Sequence, residues 1–248
     1  MELPRMIAFD YGQTLLDELP FDPLAGTRAV LRYAVTNPEH ADAERIQHLA
    51  EELNRELGRG TTGQLADFHV EAPNIMFQKY LYEYFGIELS LSSTEVDKMF
   101  LDHASPAVRT PGVAQMLDRL ESMGIRTAVF SNNAFSGTAI ADRLAILIPD
   151  HRFGFILTSS DYLFRKPHPR AFEILLRKAG LSAGEVWYCG DDVECDVCGA
   201  AAFGIQAVWY RGAEKHVQTP PECPHLEIKH WSELENILLA LRKPRRKT

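Results

Sequence analysis

The sequence predicts an α/β protein in which a Rossmann-like, doubly wound parallel sheet carries an inserted all-helical cap. After residue 110, short apolar runs alternate with segments of helical periodicity, a pattern typical of parallel strands with helices on both faces. Roughly ninety residues of helical pattern separate the first apolar run, Met6–Phe9, from the next, Ile125–Phe130. We therefore expect one large helical insertion between two strands of the sheet.

Four helices are predicted within the insertion, because apolar residues recur there at helical spacing. They cover Leu24–Thr36, Ala41–Leu57, Ala72–Phe85 and Ser93–His103, with Ser93 as the cap of the last. The glycines expected to end the second helix are Gly58, Gly60 and Gly63. Residues 17–105 are accordingly predicted to form the cap domain, and residues 1–16 and 106–248 the α/β core domain.

The remaining elements are predicted from the same two periodicities. One helix is expected to have Pro111 at its first position, where proline is favoured, and to end at Gly124. The strands that follow are predicted at Ile125–Phe130, Phe153–Thr158, Val186–Cys189 and Ile205–Tyr210. The helices that follow are predicted at Ser136–Leu147, Pro169–Lys178, Asp196–Phe203 and Ser232–Leu241.

Composition and charge argue against several classes of function. With 46% apolar and 24% charged residues the chain has an ordinary globular composition, and 248 residues can bury a full core. A formal net charge of −8 argues against a nucleic-acid partner, and the basic tail Arg242–Lys247 is expected to be a solvated end. No stretch approaches the roughly eighteen apolar residues of a membrane span, and no signal-like N-terminus is present, so we expect a cytoplasmic protein without a membrane partner. The four cysteines fit reduced thiols, and the oligomeric state is left open.

Polar residues follow the ends of several predicted strands. Asp10 comes directly after the first apolar run and precedes a tight turn. The polar residues after the later strands are Ser131, Asn132, Asn133, Lys166, Asp191, Asp192, Glu194 and Asp196. Because the carboxyl ends of parallel strands lie at one edge of a sheet, we expect these groups to gather around Asp10.

This set of groups favours phosphoryl-transfer chemistry. Carboxylates are suitable ligands for Mg²⁺, a hard cation that prefers oxygen. Lys166 and Ser131 are suited to hold an anionic group, and the cation would neutralise charge on a transferring phosphoryl group. The carboxylate of Asp10 would then be the attacking group, as in aspartyl-phosphate chemistry. The expected partner is a small phosphorylated molecule.

Four stretches of the chain resemble the four sequence motifs of the haloacid dehalogenase superfamily of hydrolases. They are FDYGQTL, VFSNN, RKPHPRAFE and YCGDDVECDVCGA, in this order. The fourth is the most specific, and the resemblance spans Met6 to about Tyr210. The helical insertion also lies where this superfamily places a helical cap.

The resemblance implies a role for each motif residue. Asp10 would be the nucleophile and a Mg²⁺ ligand, and Ser131 and Asn132 would bind the phosphoryl group. Lys166 would steady the charge of both the nucleophile and the phosphate. The other implied metal ligands are the backbone carbonyl of Gly12 and the carboxylates of Asp191 and Asp196, the last of which completes or orients the acidic set.

One position departs from the phosphatases of this superfamily. They have a second aspartate two residues after the nucleophile, where it serves as general acid and base, but this chain has Gly12 there and Gln13 in place of the usual glycine. General acid–base catalysis typically contributes about 10² to 10⁴ in rate, so its loss would slow the hydrolysis of sugar phosphates more than that of substrates with good leaving groups. Water or another side chain could substitute. The candidate side chains are Gln13, Asp17, Glu18, His69 and His103.

Three functions are compatible with these residues. The first is a Mg²⁺-dependent phosphatase that acts on a small phosphorylated metabolite through an aspartyl phosphate. The second is a branch that lacks the second aspartate, a dehalogenase or a phosphonatase. The acidic site would repel a halocarboxylate, and the two cap lysines available for a phosphonatase Schiff base are Lys79 and Lys98. The third is a regulatory protein that binds a ligand with little turnover, which Gly12 favours.

Overall fold

The computed structural model describes residues 1–58 and 69–242. Its strands are β1 (Met6–Phe9), β2 (Leu16–Glu18), β3 (Ala34–Thr36), β4 (Glu88–Leu89), β5 (Ala107–Arg109), β6 (Arg126–Ser131), β7 (Ile156–Thr158), β8 (Val186–Gly190), β9 (Gln206–Tyr210) and β10 (His225–Ile228). Its α-helices are Pro23–Leu31, Ala43–Leu57, Asn74–Tyr84, Ser93–Ala104, Val113–Ser122, Gly137–Leu147, Ser159–Tyr162, Pro169–Ala179, Gly199–Ala202 and Trp231–Arg242. A 3₁₀ turn covers Ala183–Glu185, and a π-helical turn covers Val193–Cys198.

Six strands form one parallel sheet in the order β10-β9-β8-β1-β6-β7. β1 lies in the middle, where Phe9 pairs with Cys189 of β8 on one side and with Val129 of β6 on the other. The chain extends the sheet in one direction from β1 through β6 and β7, and in the other direction through β8, β9 and β10. Ligands of open α/β sheets bind beyond the carboxyl ends of the strands at such a switch point, which here is the end of β1.

Both faces of this sheet are buried, which is why its strands are continuous apolar runs. On one face, Ile7 and Phe9 belong to a cluster with residues of the helices Val113–Ser122 and Trp231–Arg242. On the other face, Met6 and Ala8 cluster with residues of the helix Pro169–Ala179. Helices therefore cover both faces, and the predicted doubly wound α/β fold is confirmed.

The inserted segment has a hydrophobic cluster of its own. Val30, Ile46, Leu81 and Phe100 are buried members, one from each of the four long helices described in this segment. Gly26 allows the first and last of these helices to pack closely, because a Cβ atom there would lie 2.8 Å from that of Ala104. β2 and β5 pair antiparallel where the segment joins the rest of the chain. The domain boundaries at residues 16 and 106 stay a prediction.

The predicted helix Leu24–Thr36 is wrong in its last part. The helix ends at Leu31, and Ala34–Thr36 forms β3, which pairs antiparallel with β4. Val35 and Thr36 are β-branched, and such side chains favour the extended backbone of a strand. The described part of the insertion is therefore mainly helical and contains a short antiparallel strand pair.

Several other helix starts or capping residues differ from the prediction. The cap of the helix Ser93–Ala104 is Ser92 rather than Ser93, because Ser92 forms a reciprocal capping box with Glu95. The helix expected to begin at Pro111 begins at Val113, and its N-cap residue is Gly112, whose φ of 83° suits glycine. β2, β4, β5 and β10 were not predicted.

Gly58 ends its helix as predicted, in a left-handed conformation with a φ of 61°. Gly60, Gly63 and the basic residues 243–247 lie outside the described residues. Within residues 1–58 and 69–242, no helix combines the length and the apolar character that crossing a bilayer requires.

Candidate active site

The carboxyl ends of β1, β6 and β8 meet at one edge of the sheet. Asp10 follows β1 directly, and its backbone N–H donates to the carbonyl of Cys189 in β8 at 2.8 Å. Ser131 is the last residue of β6, and Asp191 follows Gly190 at the end of β8. The strand pairing on both sides of β1 thus brings together residues that lie more than one hundred positions apart in the sequence.

Lys166 lies at the centre of this edge, and only 2% of its surface is exposed. Its Nζ atom lies 2.7 Å from Oδ1 of Asp10 and 2.7 Å from Oδ1 of Asp196. The same ammonium donates to the carbonyl of Phe130 at 3.1 Å and to the hydroxyl of Tyr188 at 2.5 Å. Because a buried ammonium is tolerated only when it is paired and hydrogen-bonded, these contacts account for its position.

Two opposing effects set the charge of Lys166. Burial lowers its pKa, but the negative charges of Asp10 and Asp196 outweigh burial, so the net pKa lies above the ordinary value of a lysine. The side chain is therefore a cation at neutral pH. It places one positive charge within hydrogen-bonding distance of two carboxylates.

Asp10, Asp191 and Asp196 form an acidic cluster, in which one carboxylate oxygen of each residue lies within 4.8 Å of the others. Burial raises the pKa of Asp191 to about 8, and the charges of Asp196 and Asp10 contribute to the shift. Burial likewise raises the pKa of Asp196 to about 6, although the charge of Lys166 opposes it. The ammonium of Lys166 forms ion pairs with Asp10 and Asp196. The set consists of oxygen donors and fits a hard divalent cation such as Mg²⁺.

Neighbouring groups fix the last two acids of the cluster. The indole Nε1 of Trp209 donates to the backbone carbonyl of Asp191 at 3.0 Å. Asp196 lies in the π-helical turn, and its Oδ2 accepts from the backbone N–H of Asp192 at 3.0 Å. Any side chain at Gly190 would overlap the carboxyl group of Asp196, so this glycine is required for the close approach.

The side-chain amide of Asn132 holds the backbone of Lys166. Its Nδ2 donates to the carbonyl of Lys166 at 2.8 Å, and its Oδ1 accepts from the N–H of Lys166 at 2.6 Å. The amide thus makes one hydrogen bond from each end to the Lys166 backbone, and a contact between Asn132 and a phosphoryl group would use its backbone or the second N–H of Nδ2. Ser131 is buried at the end of β6, next to this pair. The substrate-binding roles of both residues stay predictions.

Two polar groups at the site were not predicted. The hydroxyl of Tyr188 accepts from Lys166 and donates to the carbonyl of Phe130 at 2.6 Å. The hydroxyl of Thr14 donates to Oδ1 of Asp191 at 3.3 Å. Tyr188 lies within an apolar strand, where a tyrosine normally belongs to the core, so the sequence carries no signal for it. For Thr14 the sequence does carry a signal, because this residue follows Asp10 within the same turn.

A cleft of about 460 Å³ lies beside this edge of the sheet. Gln13 and Asn132 line it together with Glu18, Ser105 and Phe135. Burial raises the pKa of Glu18, and the negative charge of nearby Asp10 raises it further. Of the side chains considered as substitutes for the second aspartate, Gln13 and Glu18 thus line the cleft.

The other candidate residues do not line the cleft. Asp17 pairs with Lys215 at 2.8 Å. Nδ1 of His103 lies 2.9 Å from the carbonyl of Met99 on its own helix, and the His103 side chain is exposed. His69 contributes its backbone carbonyl to a hydrogen bond from the N–H of Arg165.

Residues 4–204 match the family model of the haloacid dehalogenase-like hydrolases. This match covers more than half of the chain, and the chain therefore belongs to that family of hydrolases, as the resemblance of its motifs implied. A ribulose-1,5-bisphosphate 5-phosphatase of Halopiger xanaduensis is 25% identical over 218 residues, which cover 84% of this chain and 85% of the relative.

Two solved structures share the fold. A 2-haloacid dehalogenase from Pseudomonas syringae pv. Tomato superposes with a TM-score of 0.64 at 23% identity, over 96% of this chain and 99% of that chain. A HAD phosphatase from Thermococcus onnurineus superposes with a TM-score of 0.59 at 21% identity, over 94% of this chain and 97% of that chain. The same fold thus supports two chemistries, and the residues of the site must distinguish them.

Proposed function

We propose that this hydrolase is a Mg²⁺-dependent phosphatase that acts on a small phosphorylated metabolite through an aspartyl phosphate on Asp10. The observation that carries the proposal is the acidic cluster, in which one carboxyl oxygen of each of three aspartates lies within 4.8 Å of the others and the ammonium of Lys166 pairs with two of them. A halocarboxylate would meet the same negative charge, which disfavours a dehalogenase. The name of the Halopiger relative, a phosphatase, also supports the proposal.

Each residue of the site has a part in the proposed reaction. The carboxylate of Asp10 would attack phosphorus, and Lys166 would offset the charge of Asp10 and of the phosphoryl oxygens. The hydroxyl of Ser131 and the backbone of Asn132 would orient the phosphoryl group. When bound, Mg²⁺ would neutralise charge on that group. The residues that would hold the cation are Asp10, Asp191, Asp196 and, through its carbonyl, Gly12.

The proposal includes a division of labour between two domains. A core of residues 1–16 and 106–248 would carry the reacting groups, and a cap of residues 17–105 would close over the cleft and select the substrate. The antiparallel pair of β2 and β5 lies at the junction of these two parts. The predicted cytoplasmic location and the predicted lack of nucleic-acid and membrane partners stay predictions.

The contacts of the cap lysines disfavour a phosphonatase, which would need one of them as a Schiff-base amine. Lys79 forms an ion pair with Glu83 on its own helix, and Nζ of Lys98 lies 3.4 Å from Oδ2 of Asp102. In the described part of the chain, neither lysine lines the cleft.

The proposal is tested with a panel of aryl, acyl and sugar phosphates and halocarboxylates, assayed with and without Mg²⁺. We expect phosphate release that requires Mg²⁺ and is lost in Asp10→Asn. The matched control is Asp118→Asn, which removes an exposed carboxylate from the helix Val113–Ser122 and should retain full activity. Halide release without phosphate release would replace the proposal by a dehalogenase. Ligand binding without any turnover would favour the regulatory alternative.

A further inference from the structure

The space beside Gly12 is filled by the carboxylate of Glu18. A Cβ atom built at position 12 would overlap Oε2 of Glu18, and the neighbouring Cδ would lie 3.3 Å away. Ordinary bond lengths place the carboxylate oxygens of an aspartate about 2.4 Å from its own Cβ. Oε2 of Glu18 is no further than this from the Cβ position of residue 12. Glu18 thus puts a carboxylate oxygen within the reach of an aspartate side chain at position 12.

The backbone does not explain why position 12 is a glycine. The backbone φ of Gly12 is not in the left-handed region, so a residue with a side chain could adopt the same conformation. The left-handed residue of this turn is instead Gln13, with a φ of 52°. The group that a side chain at position 12 would meet is the Glu18 carboxylate, which would have to move to make room for it.

The start of the insertion fixes Glu18 in this place. Glu18 is the last residue of β2 and lies opposite Ala107 of β5, while Leu19 donates its N–H to the carbonyl of Pro106 at 2.8 Å. The hydroxyl of Ser105 donates to Oε1 of Glu18 at 3.4 Å. With Oε1 engaged by Ser105, Oε2 is the oxygen that faces Gly12, in the wall of the cleft.

We propose that Glu18 is the general acid and base of this enzyme, supplying from β2 the carboxyl group that position 12 lacks. This inference rests on the proposed phosphatase function. In the first step, Asp10 attacks phosphorus, the bond to the leaving oxygen breaks, and that oxygen takes the proton of the Glu18 carboxyl group. In the second step, the Glu18 carboxylate takes a proton from water, and the water oxygen attacks phosphorus. The bond between phosphorus and Asp10 then breaks, which releases phosphate and leaves Glu18 protonated again.

Substrates with different leaving groups distinguish proton transfer by Glu18 from a purely structural role of this residue. A poor leaving group such as an alkoxide needs the proton in the first step, whereas p-nitrophenolate does not. In Glu18→Gln, kcat/KM for an alkyl phosphate is expected to fall by about 10² to 10⁴, and kcat/KM for p-nitrophenyl phosphate by a much smaller factor. Because the second step loses its base, p-nitrophenolate should appear in a burst of one equivalent. Intact-mass measurement should show the phosphoryl adduct accumulating on the variant.

Two further variants control for structural damage. Asp17→Asn removes the neighbouring carboxylate, which pairs with Lys215, and should leave the ratio of the two kcat/KM values unchanged. Glu18→Ala should lose the alkyl phosphate activity, and Gly12→Asp in the same chain should restore a measurable part of it, because the space left by Glu18 accepts the aspartate.

The outcomes distinguish this inference from the proposed function. If the unaltered protein releases phosphate with Mg²⁺ but Glu18→Gln affects both substrate classes equally or not at all, only the role of Glu18 is wrong. If Gly12→Asp fails to restore activity to a folded Glu18→Ala protein, the equivalence of the two positions is wrong. If the unaltered protein releases no phosphate from either class, the proposed function and the inference both fail.

Discussion

Replacing Lys166 by methionine is expected to lower the free energy of unfolding by about 3–5 kcal/mol at pH 7 without Mg²⁺. The ammonium lies 2.7 Å from a carboxylate oxygen of Asp10 and of Asp196. At an effective dielectric constant of about 20, each pair at this distance is worth about 6 kcal/mol of Coulomb energy. The loss in the variant should be smaller than the sum of these two Coulomb energies for two reasons. Burying the lysine charge has a cost that the variant avoids, and the unpaired carboxyl groups of the variant can take up protons and become neutral.

The pH dependence has a definite sign. Burial raises the pKa of Asp196 in the folded protein, and Lys166→Met removes the positive charge that opposes this rise. Such a group binds protons more tightly when the protein is folded, so the destabilisation it causes is lost as the pH falls. The free energy of unfolding that Lys166→Met loses relative to the unaltered protein should therefore be smaller at pH 5 than at pH 7. Added Mg²⁺ should also reduce this loss, because a bound cation supplies the missing positive charge.

Urea unfolding of both proteins at the two pH values, with and without Mg²⁺, measures these differences. Lys79→Met is the matched control, since it removes an exposed lysine paired with Glu83 on a helix and should cost no more than about 0.5 kcal/mol. A loss below about 1 kcal/mol in Lys166→Met, or a loss that does not change with pH, would refute the view that this lysine compensates buried carboxylates.

Three further results follow from the same contacts. Because burial raises the pKa of Asp191 to about 8, Mg²⁺ must displace a proton from Asp191 when it binds below that pH. The Kd for Mg²⁺, measured by calorimetry, should therefore fall by up to about tenfold between pH 6 and pH 7. A Kd independent of pH would contradict this. Tyr188→Phe removes a hydroxyl that contacts Lys166 and Phe130 and should cost about 1–3 kcal/mol in urea unfolding, whereas an unchanged midpoint would exclude a structural role for that hydroxyl. Asn132→Ala removes both hydrogen bonds to the backbone of Lys166. It should lower kcat by at least about tenfold and change KM less. An unaltered kcat would show that the Asn132 amide does not position Lys166.

The grouping of site residues at one edge of the sheet was predictable because it depends only on the topology of the strands. Parallel strands bring their carboxyl ends together, so residues that follow apolar runs, such as Asp10 and Asp191, could be placed near one another without any knowledge of side-chain contacts. Lys166 follows β7 only after a short helix, and the motif it shares with the family was needed to include it. The family fold followed from the same motifs.

Other features depend on contacts that no local pattern reveals. Residues 34–36 continue the apolar spacing of a helix, but their pairing with β4, more than fifty residues away, makes them a strand. Glu18 was one of five candidate side chains, and only the pairing of β2 with β5 places its carboxylate beside Gly12. The hydroxyl of Tyr188 reaches Lys166 from within a strand whose composition is that of the core.

The covalent step on Asp10 can be tested directly by mixing the protein with an aryl phosphate and Mg²⁺, quenching with acid and reducing with borohydride, which converts an aspartyl phosphate to homoserine. Peptide mass spectrometry is then expected to find homoserine at position 10, dependent on both Mg²⁺ and substrate. Rapid phosphate release with no modification at position 10, or modification of a different residue, would contradict the proposed mechanism.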